Sequence, residues 1–409
     1  TSSIALAWTA PTISGGGSPV TGYKVYSRVV HAQHGSAAIV LPAGVDTDGV
    51  VIDALVHVRR DDVTASTDVA TDLNTLSGGT LYTYVVGVLS ESGESDRSAS
   101  LDVSTSSPAP TDLTSVSQTT TGMELSWTAP VITTGESVTG YKVYRDDGAG
   151  GAVDVVAYDS RQNSGDFVAS SCSVSGLTGG LTYKYQVSAL SLSGESDRSA
   201  EMSSRTSPLE VSGVDSAAQT TDSITLTWSA PAATAGNEAS GYMVYRNDGL
   251  SGSTEMSTVA YDGSSSTALT GVVSGLVGGR EYSFVVSAMN AGGEGDASDV
   301  LRQSTSPAAP SGLESTVQTT TSITLSWVAP VTEAGGAAVS GYILYRNDGS
   351  ADGAVTIEVY EAGAAADATT TTSSTSTVVT GLSGGVEYAF AVAARSSAGL
   401  SDRSLVASV

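Results

Sequence analysis

A refrain of four beats limits this chain more than any other feature. W-x-A-P occurs at Trp8, Trp127, Trp228 and Trp327. Each Trp is followed by a G-Y-x-[VL]-Y segment whose first aromatic is Tyr23, Tyr141, Tyr242 or Tyr342. Each unit then closes on L-x-G-G-x-x-Y-x-[YF], led by Leu76, Leu177, Leu276 and Leu382. A recurrence at roughly a hundred residues is a tandem array of whole domains, each long enough to bury its own core. The units run 1–107, 108–207, 208–306 and 307–409.

The apolar residues inside each unit alternate with period two, the strand period. Ile4-Leu6-Trp8, Met123-Leu125-Trp127, Ile224-Leu226-Trp228 and Ile323-Leu325-Trp327 each put one face inward. Ala, Ser, Thr or Glu fill the opposite face, as in a half-buried antiparallel strand. Tyr141 and Val143 point one way, Lys142 and Tyr144 the other. Tyr183, Tyr185, Val187 and Ala189 share a face after the Leu-x-Gly-Gly corner. R-D-D-G at Arg145 and R-N-D-G at Arg246 and Arg346 supply Asp-Gly pairs that tolerate tight hairpins. The spacing of turn signals predicts sandwiches and no helix.

W-x-A-P, G-Y-x-V-Y-R and Leu-x5-Tyr together resemble the fibronectin type III family. The resemblance covers essentially the whole chain. It implies an all-β fold: four tandem seven-stranded, immunoglobulin-like sandwiches with Trp8, Trp127, Trp228 and Trp327 in their cores. It also implies that Tyr82, Tyr183, Tyr282 and Tyr388 are tyrosine corners, whose hydroxyls bond back to nearby backbone. The first sandwich lacks its opening strand in this window, because only seven residues precede Trp8. A window cut from a longer array is the bland account of that edge; a neighbouring copy that lends a strand by β-augmentation is the sharper one.

The charge excludes several partners. The chain carries 42 Asp and Glu against 17 Lys and Arg, a net charge of −25. Nucleic acid needs a basic patch, and none is visible; anionic lipid is disfavoured for the same reason. No run of apolar residues is long enough to span a bilayer. The single cysteine, Cys172, rules out an intrachain disulfide and reads as a small buried hydrophobe.

Catalytic chemistry finds no footing. No G-x-S-x-G elbow, phosphate loop or Cys-His pair is present. His31, His34 and His57 lie in an insertion at about 29–70 with loose spacing for a metal. Asp46-Thr-Asp48-Gly49 resembles the start of a calcium loop but lacks its later ligands. No cofactor is expected beyond weak calcium at the joints. The Thr-rich tract 368–377 reads as strand and loop, or as an O-glycan acceptor.

The remaining candidate contacts are the last loops of the units: Glu94, Asp96 and Arg97; Glu195, Asp197 and Arg198; Asp402 and Arg403. Local Asp–Arg pairing that shapes the loop is the bland reading of them. The joints are short and Pro-stiffened, ending at Pro110, Pro208 and Pro310. The expectation is a non-enzymatic, semi-rigid rod of an extracellular, cell-surface or filament-forming protein. It would adhere to copies of itself or to other surface proteins through sandwich faces and edges. The alternative is a spacer array of a secreted carbohydrate-active enzyme or a receptor ectodomain.

Overall fold

The computed structural model describes residues 3–12, 17–29, 54–59, 68–73, 76–132, 136–162, 168–232, 238–250, 255–333, 335–350, 353–362 and 374–409. The chain divides into two compact units, Thr1–Thr206 and Ser207–Val409. Among the described residues there is no α-helix; one 3-10 turn at Ser160–Gln162 interrupts an otherwise all-β chain. The refrain recurs as one sheet pattern in each repeat.

In the second repeat the Trp-bearing strand Gly122–Thr128 lies between the opening strand Thr111–Gln118 and Ser171–Ser175. The other sheet runs Val155–Asp159, Gly140–Arg145, Thr182–Ser191, with the closing strand in two pieces, Gly194–Glu195 and Met202–Arg205. All pairings are antiparallel. The third and fourth repeats repeat both sheets, with Trp strands Ser223–Ser229 and Ser322–Val328. In the first repeat, among the described residues, Ile4–Thr9 pairs only with Asp68–Leu73. Among the described residues that sheet has two strands where the others have three.

The insertion supplies Ala54–Arg59, which pairs with Val20–Val29 and sets His57 opposite Val25 in the ladder. His31, His34, Asp46, Asp48, Asp53, Asp61 and Asp62 lie outside the described residues, as does the tract from Ala368 to Ser373. The end of that tract begins the strand Ser376–Thr380.

Each core forms where the two inward faces meet. Trp127, Trp228 and Trp327 are buried, and their rings stand 5.1, 5.4 and 5.3 Å from those of Tyr141, Tyr242 and Tyr342. Trp8 meets Tyr23 at 5.5 Å and 64°, an edge-on geometry that aromatic quadrupoles favour. Val143, Tyr185, Val187 and Ala189 are fully buried in the second core. Cys172 is half-buried against that core, and burial pushes its thiol up to about 12.

Candidate functional site

The Leu-x-Gly-Gly-x-x-Tyr segment is a corner in all four repeats. The hydroxyls of Tyr82, Tyr183, Tyr282 and Tyr388 accept the backbone N–H of Ser77, Thr178, Val277 and Ser383 at 2.9, 2.9, 3.0 and 3.1 Å. Arg145, Arg246 and Arg346 lie 5.4, 5.4 and 5.6 Å over the rings of Tyr183, Tyr282 and Tyr388. The neighbouring Asp-Gly turn packs on the same ring. A Cβ added to Gly249, whose φ is +75°, would sit 2.5 Å from Tyr282 Cε1. These aromatic positions are occupied by construction.

The predicted contact loops occupy one place in each repeat, the outer face of the larger sheet. Lys142 and Tyr144 point outward because their neighbours Tyr141 and Val143 point into the core. Glu195 on the closing strand meets both. Lys142 Nζ lies 3.2 Å from Glu195 Oε2, the Tyr144 hydroxyl donates to Oε1, and Ser188 Oγ donates to Oε1 at 2.7 Å. Burial alone would raise the Glu195 carboxyl. The bonds from Tyr144, Ser188 and Lys142 outweigh it and hold the carboxyl below its ordinary value. Arg198 lies 3.7 Å over the Tyr144 ring and reaches the Val153 carbonyl and, at 3.4 Å, Asp154. Its salt bridge is therefore to Asp154, on another strand connection, and Asp197 stays exposed.

The first repeat reproduces the set. Glu94 takes Lys24 at 2.8 Å and the Tyr26 hydroxyl at 2.7 Å, and Arg97 covers Tyr26 at 4.1 Å. In the third repeat Met243 and Ala297 stand where the cations were, and Glu294 keeps the Tyr245 hydroxyl at 3.0 Å. In the fourth, Ile343, Ala393 and Leu400 replace Lys, Ser and Glu, while Arg403 still lies 3.8 Å over Tyr345. Asp402 accepts the Thr221 hydroxyl at 2.8 Å. In the first two repeats the face thus pairs its Glu with a Lys and a Tyr of the same repeat. Among the described residues no three His, Cys, Asp or Glu side chains gather as metal ligands.

The sequence reading missed what the serines in G-E-S-D-R-S do. Ser196 and Ser199 accept the N–H groups of Ala189 and Val187 at 2.9 and 3.1 Å, and Ser401 and Ser404 those of Ala394 and Val392 at 2.8 and 3.1 Å. They replace ladder bonds where the closing strand breaks in two. Their three-residue spacing was the available signal. The Thr of each joint was missed as well. Thr105, Thr206 and Thr305 donate to the corner carbonyls of Ser77, Thr178 and Val277 at 2.7, 2.8 and 2.7 Å.

Two-layered antiparallel sandwiches with a core Trp, a tyrosine corner and no disulfide define an immunoglobulin-like module array. Residues 108–205, 209–304 and 308–409 match the fibronectin type III domain, and the chain belongs to that family. It is 31% identical to Exoglucanase B of Cellulomonas fimi over 284 residues, which is 64% of this chain and 23% of that protein. It is 33% identical to Chitinase A1 of Niallia circulans over 172 residues, 40% of this chain and 22% of that one. The chain thus spans less than a quarter of the length of either relative. It is also similar to the crystal structure of chicken CNTN1 FN1–FN3 domains, at 16% identity and a TM-score of 0.29, covering 74% of this chain and 98% of that one. No helix among the described residues is long and apolar enough to cross a membrane.

Proposed function

We propose that this chain is a non-enzymatic spacer array within a larger extracellular protein that acts on an insoluble polysaccharide such as cellulose or chitin. One observation carries the reading. The stretch shared with an exoglucanase and a chitinase is most of this chain in the first case, yet less than a quarter of either enzyme. The shared part is the sandwich part, and the bulk of each relative lies elsewhere. Polymeric substrates of that size stay outside the cell, which supports an extracellular setting.

The outer faces support the same reading. Glu94 and Glu195 spend their charge on Lys, Tyr and Ser of their own repeat, leaving little to recognise a ligand. Adhesion between copies through these faces, the first expectation from the sequence, has less support for that reason. The spacer reading requires no cofactor. Weak calcium at the joints and glycans on residues 368–377 are compatible with it and carry no part of it.

The test is direct. The 409-residue chain is incubated with crystalline cellulose and with chitin, and both reducing-end release and retention on the solid are measured. Neither hydrolysis nor retention is expected. Retention on either polymer would make the array a binding module, and reducing-end release would make it an enzyme.

A further inference from the structure

The third and fourth repeats lie in one compact unit, Ser207–Val409, and the joint between them is made of more than its linker. Ser306 sits in that joint and is fully buried. Its N–H donates to the Thr220 carbonyl of the third repeat at 3.0 Å, and its Oγ donates to the Ala398 carbonyl of the fourth at 3.0 Å. One residue thus bonds to both repeats. A Cβ on Gly399, beside Ala398, would lie 2.8 Å from Ser306 Oγ, so the turn fits closely against it.

Two further ties cross the joint. Thr221, in the turn between the strands Ser212–Gln219 and Ser223–Ser229, donates its hydroxyl to Asp402 Oδ2 at 2.8 Å. Arg280, at the corner and four-fifths buried, places Nη2 3.5 Å from Glu333 Oε1 in the loop after the Trp327 strand. The Gly336 N–H closes that loop on the Glu333 carbonyl at 3.0 Å. Here the two backbones nearly touch. A Cβ on Gly336 would lie 2.0 Å from the Gly279 carbonyl oxygen, so only glycine fits. The first two repeats carry Thr80 and Thr133 where Arg280 and Glu333 stand, so no ion pair can form between those positions.

We propose that the third and fourth repeats move as one rigid body, locked in a fixed orientation by these three ties. One contact would leave a swivel, and two would leave a hinge. Three, drawn from three different segments of the third repeat, stop both motions. No tie is strong by itself, because a half-exposed ion pair or a single hydrogen bond contributes little. The repeats are already tethered, however, so each tie forms at a high effective concentration. Relative motion is the ordinary state of neighbouring domains unless their interface holds them. A locked pair transmits direction as well as distance, whatever the array carries at its ends.

Spin labels test the lock. Cys172→Ala removes the native thiol. Val272→Cys and Val378→Cys then place one label on the outward face of each repeat's smaller sheet, where both valines are 55% exposed. The pulsed-EPR distance distribution between the labels in the 409-residue chain is expected to be a single narrow peak. Thr221→Val and Arg280→Ala together remove two ties, and Gly336→Ala wedges the backbones apart. In that triple variant the peak should widen roughly twofold or more, because the linker alone permits reorientation. With 5-fluorotryptophan incorporated, the ¹⁹F resonances of Trp228 and Trp327, both core residues, should show that both repeats stay folded. If either core is lost, Thr221→Val with Arg280→Ala takes the place of the triple variant, and the same widening is required. A broad distribution in the unaltered chain overturns the proposal. So does a peak that stays narrow in the variant, because the proline-containing linker would then set the orientation without the ties.

Discussion

Asp146→Asn should stabilise the second repeat. Asp146 is fully buried in the turn after the Tyr strand. Its Oδ1 accepts the N–H of Lys184 at 3.0 Å and of Gly148 at 3.2 Å, pinning the turn to the long strand. Its Oδ2 has no partner. The third and fourth repeats place Asn247 and Asn347 there, with the same two-bond pattern to Ser283 and Gly249, and to Ala389 and Gly349. The Asn347 amide adds what a carboxylate cannot, donating Nδ2 to the Ser350 carbonyl at 3.1 Å. The substitution removes a buried unpaired acceptor and supplies an amide donor of the kind Asn347 uses in the fourth repeat. Arg145 bonds the backbone carbonyl of residue 146, which the substitution keeps. A buried unsatisfied polar atom costs about 1–3 kcal/mol, so a gain of about 1–2 kcal/mol is expected. For a domain of this size that raises the midpoint by roughly 4–8 °C per kcal/mol. The assay is thermal and urea unfolding of the chain labelled with 5-fluorotryptophan, followed by the Trp127 ¹⁹F signal with the other three Trp signals as internal references. An unchanged or lowered Trp127 midpoint would refute the reasoning about Oδ2.

Three further outcomes follow from the same geometry. Tyr183→Phe removes the bond from Thr178 N–H and should cost about 1–2 kcal/mol in urea unfolding of the second repeat, with no change at Trp228 or Trp327. Arg198→Ala uncovers Tyr144 and should cost about 0.5–1 kcal/mol; because the Arg lies on a ring, high salt should remove little of that difference. The carboxyls of Glu94 and Glu195 are held below their ordinary value, so their contribution is present above the unfolded carboxylate range and is lost as pH falls through the lowered folded values. NMR titration should therefore place both below an exposed Glu, and Glu195→Gln should flatten the acid limb of the second repeat's stability curve.

The fold was legible because its signals are local and repeated. Ile-x-Leu-x-Trp states a half-buried strand, and Leu-x5-Tyr states the corner, without any knowledge of what lies opposite. The outer face was less legible. Glu195 was visible as a loop residue, but Lys142, Tyr144 and Ser188 come from two other strands. Sequence distance hid the set: Glu195 and Lys142 are 53 residues apart along the chain. Arg198 was expected to pair locally with Asp197; it lies over Tyr144 instead and bonds the Val153 carbonyl and Asp154, groups far away in the sequence. The role of Ser196 and Ser199 depends on a break in the closing strand, which no composition signal announces.

On the proposed spacer function, the refrain builds spacing and carries no chemistry of its own. The most direct measurement compares three forms of the intact polypeptide that contains this array. One is unaltered, one lacks residues 108–306, and one has those residues replaced by two unrelated β-sandwich domains. Activity is followed on the insoluble polymer and on a soluble oligosaccharide. Deletion should lower turnover of the solid alone, and the unrelated sandwiches should restore it. Failure of the unrelated sandwiches to restore that turnover would contradict the account, because the surfaces of these repeats would then be needed in their own right.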